Sequence, residues 1–237
     1  MKPKIILDVG AGMWRSYRDL STLHKPYIIH SVEPHPELHK KLIDIKKNNS
    51  SHSLHINNRA ISTKTKSGEN FYVVNDPVAS SLCKLNHEGI RNWKYPLRRA
   101  PFKVVDIVKV DVISIHDYIK DNKIIKKYGI DLLNIDIQGN CMDVLEGIKD
   151  TTFKKIKRII IKCIDVPFEL YENQTDVIDI IDKLRINDFI LLRGAKYSRD
   201  QEQILEFVNK SHNPSHIDMS PMFKITESGD FIIEVDR

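Results

Sequence analysis

The sequence predicts an α/β fold: a mostly parallel sheet with helices on its faces and an antiparallel hairpin at the C-terminal end. Three observations carry this expectation. Short β-branched and aliphatic runs alternate with helical patterns, as in strand–helix–strand units. The first run ends in a glycine turn, Asp8-Val9-Gly10-Ala11-Gly12, the kind of place where open α/β sheets bind ligands. A central run, Leu132–Ile135, is apolar without alternation, as a strand covered on both faces must be.

Along the chain, Ile5–Val9 and Tyr27–Val32 read as the first two strands. A helix follows from about Glu37 to Lys47. Pro34 and Pro36 stand at its entrance, where a missing N–H is harmless. Ser53–Asn57 and Phe71–Val74 read as strands, 75–103 as irregular, and Val104–Val112 as β-branched. Ser114, with Asp117 three residues on, marks the start of a helix to Asn122. After Leu132–Ile135 come a helix (Cys141–Ile148), a strand (Arg158–Ile164) and a helix (Thr175–Arg185). In the last helix Val177, Ile178, Ile180, Ile181 and Leu184 supply the apolar stripe. Phe189–Leu192 reads as a strand, Asp200–Asn209 as a helix and Ser211–Pro221 as a surface loop. Phe223–Thr226 and Phe231–Val235 read as a hairpin around Glu227-Ser228-Gly229-Asp230.

A length of 237 residues with 41% hydrophobic content suits one domain with a substantial core. Cys83, Cys141 and Cys163 show no paired or zinc-type spacing, so neither a metal site nor a disulfide framework is expected. His35, His87 and His116 are expected to be structural or surface groups. Ile5–Leu7 is too short for a signal peptide, and no apolar run approaches the roughly 20 residues of a membrane span. The expectation is a cytoplasmic chain with no membrane contact. A net charge of +5 leaves nucleic acid as an admissible but unfavoured partner. The segment Arg91–Lys103, where basic and aromatic residues interleave, would be the contact. An anionic sugar site or a solvated loop explains it equally.

Three segments carry chemistry. In Asp8-Val9-Gly10-Ala11-Gly12 the glycines allow a tight turn beside a ligand. A dinucleotide pattern would need glycine at position 15, where Arg15 stands, so pyrophosphate binding is disfavoured and an adenosine without phosphates remains compatible. The second strand ends in Ser31-Val32-Glu33-Pro34. An acidic residue there can accept hydrogen bonds from both ribose hydroxyls; the alternative is a carboxylate serving the helix N-terminus. In Asp131-Leu132-Leu133-Asn134-Ile135-Asp136-Ile137-Gln138-Gly139 a buried strand delivers Asp136 to the same edge. A carboxylate so placed can orient an amine, bind a metal or act as a base; the alternative is helix capping.

In this order the segments resemble the FkbM-like family of S-adenosylmethionine-dependent methyltransferases. The family runs D-V-G-A-N/G, E-P-x-P, S-S-L and then a D-x-L-K-I-D-V-E-G-x-E-x-x-V-L-x-G block. This chain has Asp8–Gly12, Glu33-Pro34-His35-Pro36, Asn58-Arg59-Ala60-Ile61-Ser62, Ser80-Ser81-Leu82 and Asp131 through Gly147. The resemblance implies a Rossmann-like class I methyltransferase fold with a seven-stranded sheet, one domain over 1–237, and 75–103 as an insertion or lid on the acceptor side. It implies S-adenosyl-L-methionine as cofactor, with Asp8, Gly10, Ala11 and Gly12 on the methionine side. Glu33 would hold the ribose beside Pro34, and Asn58 and Ala60 would flank the adenine. Ser81 and Asp136 would complete the set, Asp136 near the reacting end as candidate base and Gln138 as a group that orients the acceptor. The implied reaction is O-methylation of a hydroxyl on a sugar or small metabolite, by a chain that can self-associate. The chain departs from the pattern at Trp14, where a glycine is common, and at Gln138, Cys141 and Lys162, where acids are. Those losses leave open a changed acceptor or a catalytically degenerate cofactor-binding protein, and the 91–103 segment leaves open an RNA methyltransferase or RNA-binding module.

Overall fold

The computed structural model describes residues 2–12, 27–48, 52–92, 101–197, 202–212, 223–225 and 231–233. Trp14 and Arg15, the core of the basic stretch (93–100), most of the loop Ser211–Pro221 and the turn of the C-terminal hairpin lie outside the described residues. The strands are β1 (Lys4–Val9), β2 (Tyr27–Val32), β3 (Ser53–Asn57), β4 (Ala60–Ile61), β5 (Lys66–Val74) and β6 (Val104–Ile113). They continue with β7 (Ile130–Ile135), β8 (Ile156–Ile164), β9 (Phe189–Tyr197), β10 (Glu202–Asn209), β11 (Phe223–Ile225) and β12 (Phe231–Ile233). The helices are α1 (Pro36–Lys47), α2 (His87–Asn92), α3 (Ile115–Asp121), α4 (Lys123–Tyr128), α5 (Cys141–Glu146), α6 (Asp150–Phe153) and α7 (Val177–Ile186).

Seven strands form one sheet in the order β3-β2-β1-β7-β8-β10-β9. β1 pairs in parallel with β2 and β7, and so do β2 with β3 and β7 with β8. Strand order therefore reverses between β1 and β7, the switch point at which such sheets open a crevice beyond their carboxyl ends. The apolar runs fill the middle: Ile5, Leu7, Leu133, Ile135, Ile159, Ile160 and Ile161 have no exposed surface. Among the described residues, no helix is long and apolar enough to cross a membrane.

Helix ends follow their caps. Ser114 Oγ accepts the N–H of Asp117 at 3.1 Å, as its position predicts. His35 proves structural: its Nδ1 accepts the N–H of Glu37 at 3.2 Å and opens α1. Gly89 lets α2 lie directly against the carbonyl of Glu169, which a Cβ would meet at 1.8 Å.

One expectation changes. Residues 202–209 form strand β10, not a helix. β10 is inserted antiparallel between β8 and β9, so it is buried on both faces and shows no alternation. Its Glu206 is fully buried and paired with buried Arg158 of β8, which lets a charge stand inside the sheet. The expected hairpin forms as β11 and β12, a separate two-stranded sheet. The β-branched segment 104–113 joins a second sheet, β4-β6-β5. The described part of 75–103 is packed down. Val74, Ala79, Leu85 and Ile90 share a small apolar cluster with Ile164, Leu170 and Tyr171.

Candidate functional site

The crevice at the switch point is built from three strand ends. At the end of β1 the chain turns through Gly10 (φ 76°) and Gly12 (φ 56°), both in the left-handed region. Gly10 must lack a side chain, because a Cβ would lie 2.2 Å from the carbonyl oxygen of Asp136. The N–H groups of Gly10 and Ala11 both donate to the Val32 carbonyl, at 3.0 and 3.2 Å, and tie the turn to β2. Asp136 is fixed in turn by its N–H, which donates to Val9 at 2.9 Å.

Glu33, immediately after β2, is 5% exposed. Its Oε2 accepts the N–H of Gly12 at 2.7 Å and its Oε1 accepts the N–H of His35 at 2.8 Å. Each carboxylate oxygen has two acceptor positions, so one on each oxygen is left over. Burial pushes the Glu33 carboxyl up to about 7, against the two N–H bonds that favour its charged form and with some repulsion from Asp136. Asp8, 2% exposed, is likewise pushed up to about 7 by burial. The Asn134 side chain, donating to Asp8 Oδ1 at 2.7 Å, opposes this, while Asp136 and Glu33 reinforce it.

The other candidate residues are spread over neighbouring elements. Pro34 and Asn58 line a cleft of about 370 Å³ with Pro36, His39 and the β6 residues Val108–Asp111. Ala60 is buried in β4, in a cluster with Phe71, Val110 and Val112. Ser81 Oγ donates to the carbonyl of Gln138 at 2.5 Å and accepts the N–H of Cys83 at 2.9 Å. It thus staples the 75–92 segment to the turn after β7. Gly139 (φ 93°) completes that turn, with a Cβ position 3.0 Å from Tyr171 and 3.1 Å from Cys83. The Gln138 side chain is half-buried beside this staple.

Reading along the sheet finds one partner that the sequence shows only as a missing acid. Lys162 Nζ lies 2.6 Å from Asp136 Oδ1 and 3.8 Å from Glu202 Oε1. The partnership depends on strand register, which places Ile135 beside Ile161 and so Asp136 next to Lys162. Asn134, the donor to Asp8, also became visible only once β7 lay beside β1.

The methyltransferase FkbM domain matches this chain over residues 8–191. Among solved structures, the chain is similar to methyltransferase FkbM from Methylobacillus flagellatus KT, with 16% identity and a TM-score of 0.54 over 87% of this chain. It spans 44% of that protein's length. It is also similar to magnesium protoporphyrin IX methyltransferase from Synechocystis PCC 6803 with bound SAM, at 9% identity and a TM-score of 0.46, covering 87% of this chain and 70% of that one. No curated protein matches it. The domain match begins at Asp8, just before the glycine turn, and runs through both later strand ends of the crevice; the chain belongs to the FkbM methyltransferase domain family.

Proposed function

We propose that the chain is an S-adenosylmethionine-dependent methyltransferase that O-methylates a hydroxyl of a sugar or other small metabolite. The observation that carries the reading is Glu33, a buried carboxylate held by two backbone N–H groups with one acceptor position left on each oxygen. That is the acceptor pair a ribose cis-diol requires. The rest of the crevice fits the same ligand. Asp8, Glu33 and Asp136 converge there, and Asp136 raises the cost of ionising both Asp8 and Glu33, so the site favours a ligand carrying positive charge and repels a pyrophosphate. The Gly10 turn leaves the backbone bare where the methionine end would lie.

The cofactor supplies a methyl group on a sulfonium, ready for direct displacement. The protein's task is to hold the acceptor oxygen in line, and positioning of this kind is worth roughly 7–11 kcal/mol of a barrier. The cofactor would take the tips of β1 and β2, which would leave the acceptor to approach over β7 and β8, beneath the 75–92 segment stapled by Ser81. Asp136 is the carboxylate on that side and takes the hydroxyl proton. Gln138 orients the acceptor but cannot deprotonate it. The ion pair of Asp136 with Lys162 favours a second reading, in which the chain binds the cofactor without catalysing transfer.

Calorimetry tests the first step: S-adenosylmethionine and S-adenosylhomocysteine bind, and NAD does not. Failure of both adenosine compounds to bind would sink the proposal. Labelled methyl transfer to a panel of sugar and phenol hydroxyls then separates the two readings. Tight binding with no transfer to any acceptor favours the second.

A further inference from the structure

Lys162 brings an ammonium to a place where the family pattern has an acid. It is not a surface ion pair: the side chains of Lys162, Asp136 and Glu202 are 16%, 21% and 18% exposed. Lys162 reaches sideways from β8 to Asp136, while Glu202 of β10 stands behind it. The result is an ammonium between two carboxylates; having no lone pair, it cannot serve as the base itself.

Asp136 is thereby fixed at three points. Its N–H is bonded to Val9, its carbonyl abuts Gly10, and its Oδ1 is held by Lys162. No hydrogen bond from the described residues reaches Oδ2. With 21% of the Asp136 side chain exposed, that oxygen is reachable from outside the protein. One oxygen pinned and the other unfilled, at the edge of a crevice, describes an acceptor kept for a ligand.

We propose that Lys162 is a positioning residue that pins Asp136 through Oδ1 so that Oδ2 is presented to the acceptor hydroxyl. The inference rests on the methyltransferase reading and deepens it. Lys162 would do its work through Asp136 and leave the cofactor's grip, at Glu33 and the Gly10 turn, untouched. The ionisable groups around Asp136 are Asp8 of β1, Glu33 after β2, Cys141 of α5, Lys162 of β8 and Glu202 of β10. Lys162 is the cation among them, so its removal leaves the carboxylates facing one another and makes the empty crevice hold more protons.

The test is titration of S-adenosylmethionine into wild type, Lys162→Met and Lys162→Arg at pH 7, in two buffers of different ionisation enthalpy. Affinity is expected to stay within about threefold in all three proteins, well short of a tenfold loss worth about 1.4 kcal/mol. Proton release on binding is expected to rise by roughly half a proton in Lys162→Met and to return in Lys162→Arg. Lys162→Gln serves if the Met variant does not fold. A crystal structure of the neutral variant is expected to show the Asp136 carboxylate rotated from its wild-type position. An unchanged proton count, an unmoved carboxylate, or a loss of affinity as large as that caused by changing Glu33 would overturn the inference. If wild type binds no S-adenosylmethionine, it is the methyltransferase reading that fails; tight binding with an unchanged count sinks the role of Lys162 alone.

Discussion

Replacing Glu33 by Gln keeps the shape of the side chain and removes its symmetry as an acceptor. In wild type each carboxylate oxygen takes one backbone N–H, from Gly12 at 2.7 Å and from His35 at 2.8 Å, and keeps one acceptor position that a hydroxyl of the proposed ribose would fill. In the Glu33→Gln variant the side-chain amide nitrogen must face one of those two N–H donors, so one backbone group loses its partner and one hydroxyl loses its acceptor. A hydrogen bond to a charged acceptor contributes about 1.5–3 kcal/mol, and a buried donor left unpaired costs about 1–3 kcal/mol. The unpaired donor is there with and without ligand and so weakens the fold rather than the affinity; the lost hydroxyl bond alone should lower the affinity for S-adenosylhomocysteine roughly 10- to 10²-fold. Calorimetry at pH 8 measures it, with circular dichroism to confirm folding. The 2′-deoxy analogue makes the test specific: it should bind wild type more weakly than the parent compound, while Glu33→Gln should scarcely distinguish the two. Because the Glu33 carboxyl sits at about 7 and only its charged form accepts both hydroxyls, affinity should also weaken as pH falls below 7 in wild type and not in the variant. A loss under threefold, or an equal penalty for the deoxy compound in both proteins, would refute the reasoning.

Gly10→Ala should destabilise the fold by about 2–4 kcal/mol, combining left-handed backbone with overpacking against the Asp136 carbonyl; a melting temperature within one or two degrees of wild type would contradict it. Asp8, at about 7 in the folded protein against an ordinary 3.8, keeps its proton longer than the unfolded chain does, so its contribution to stability is full below 3.8 and is lost as pH rises to 7. Thermal melts at pH 5 and pH 8 should therefore differ less in Asp8→Asn than in wild type. Glu206→Ala leaves buried Arg158 without its carboxylate and should cost about 3–5 kcal/mol by urea denaturation, whereas Arg158→Met with Glu206→Leu should recover most of that loss.

The strands that build the crevice were readable because burial on both faces writes an unbroken apolar run, as in Leu132–Ile135 and Ile159–Ile161. The same condition hid β10. In Glu202–Asn209 the apolar residues fall at Ile204, Leu205, Phe207 and Val208, a spacing that fits one helix face, and the flanking Glu and Gln favour helix. Only the sheet order explains why such a segment is extended. The first half of β5, Lys66–Asn70, is mostly exposed and polar, so nothing in its pattern marked a strand. At the site, Glu33 and the Gly10 turn could be read from local sequence because a turn and a strand end are local objects. The Asp136–Lys162 pair could not, since it exists only once β7 and β8 lie in register.

The position of β10 has a consequence for biosynthesis. β9 occupies the sheet's last place, and its sole sheet neighbour among the described residues is β10, which follows it in the chain. While the ribosome is still translating residues up to Tyr197, β9 has nothing to zip onto and β8 presents a bare edge. The nascent polypeptide must therefore wait for the segment that fits between them. A message cut short before the codon for Glu202 would release a chain with two exposed strand margins, the kind of species that chaperones retain and proteases clear.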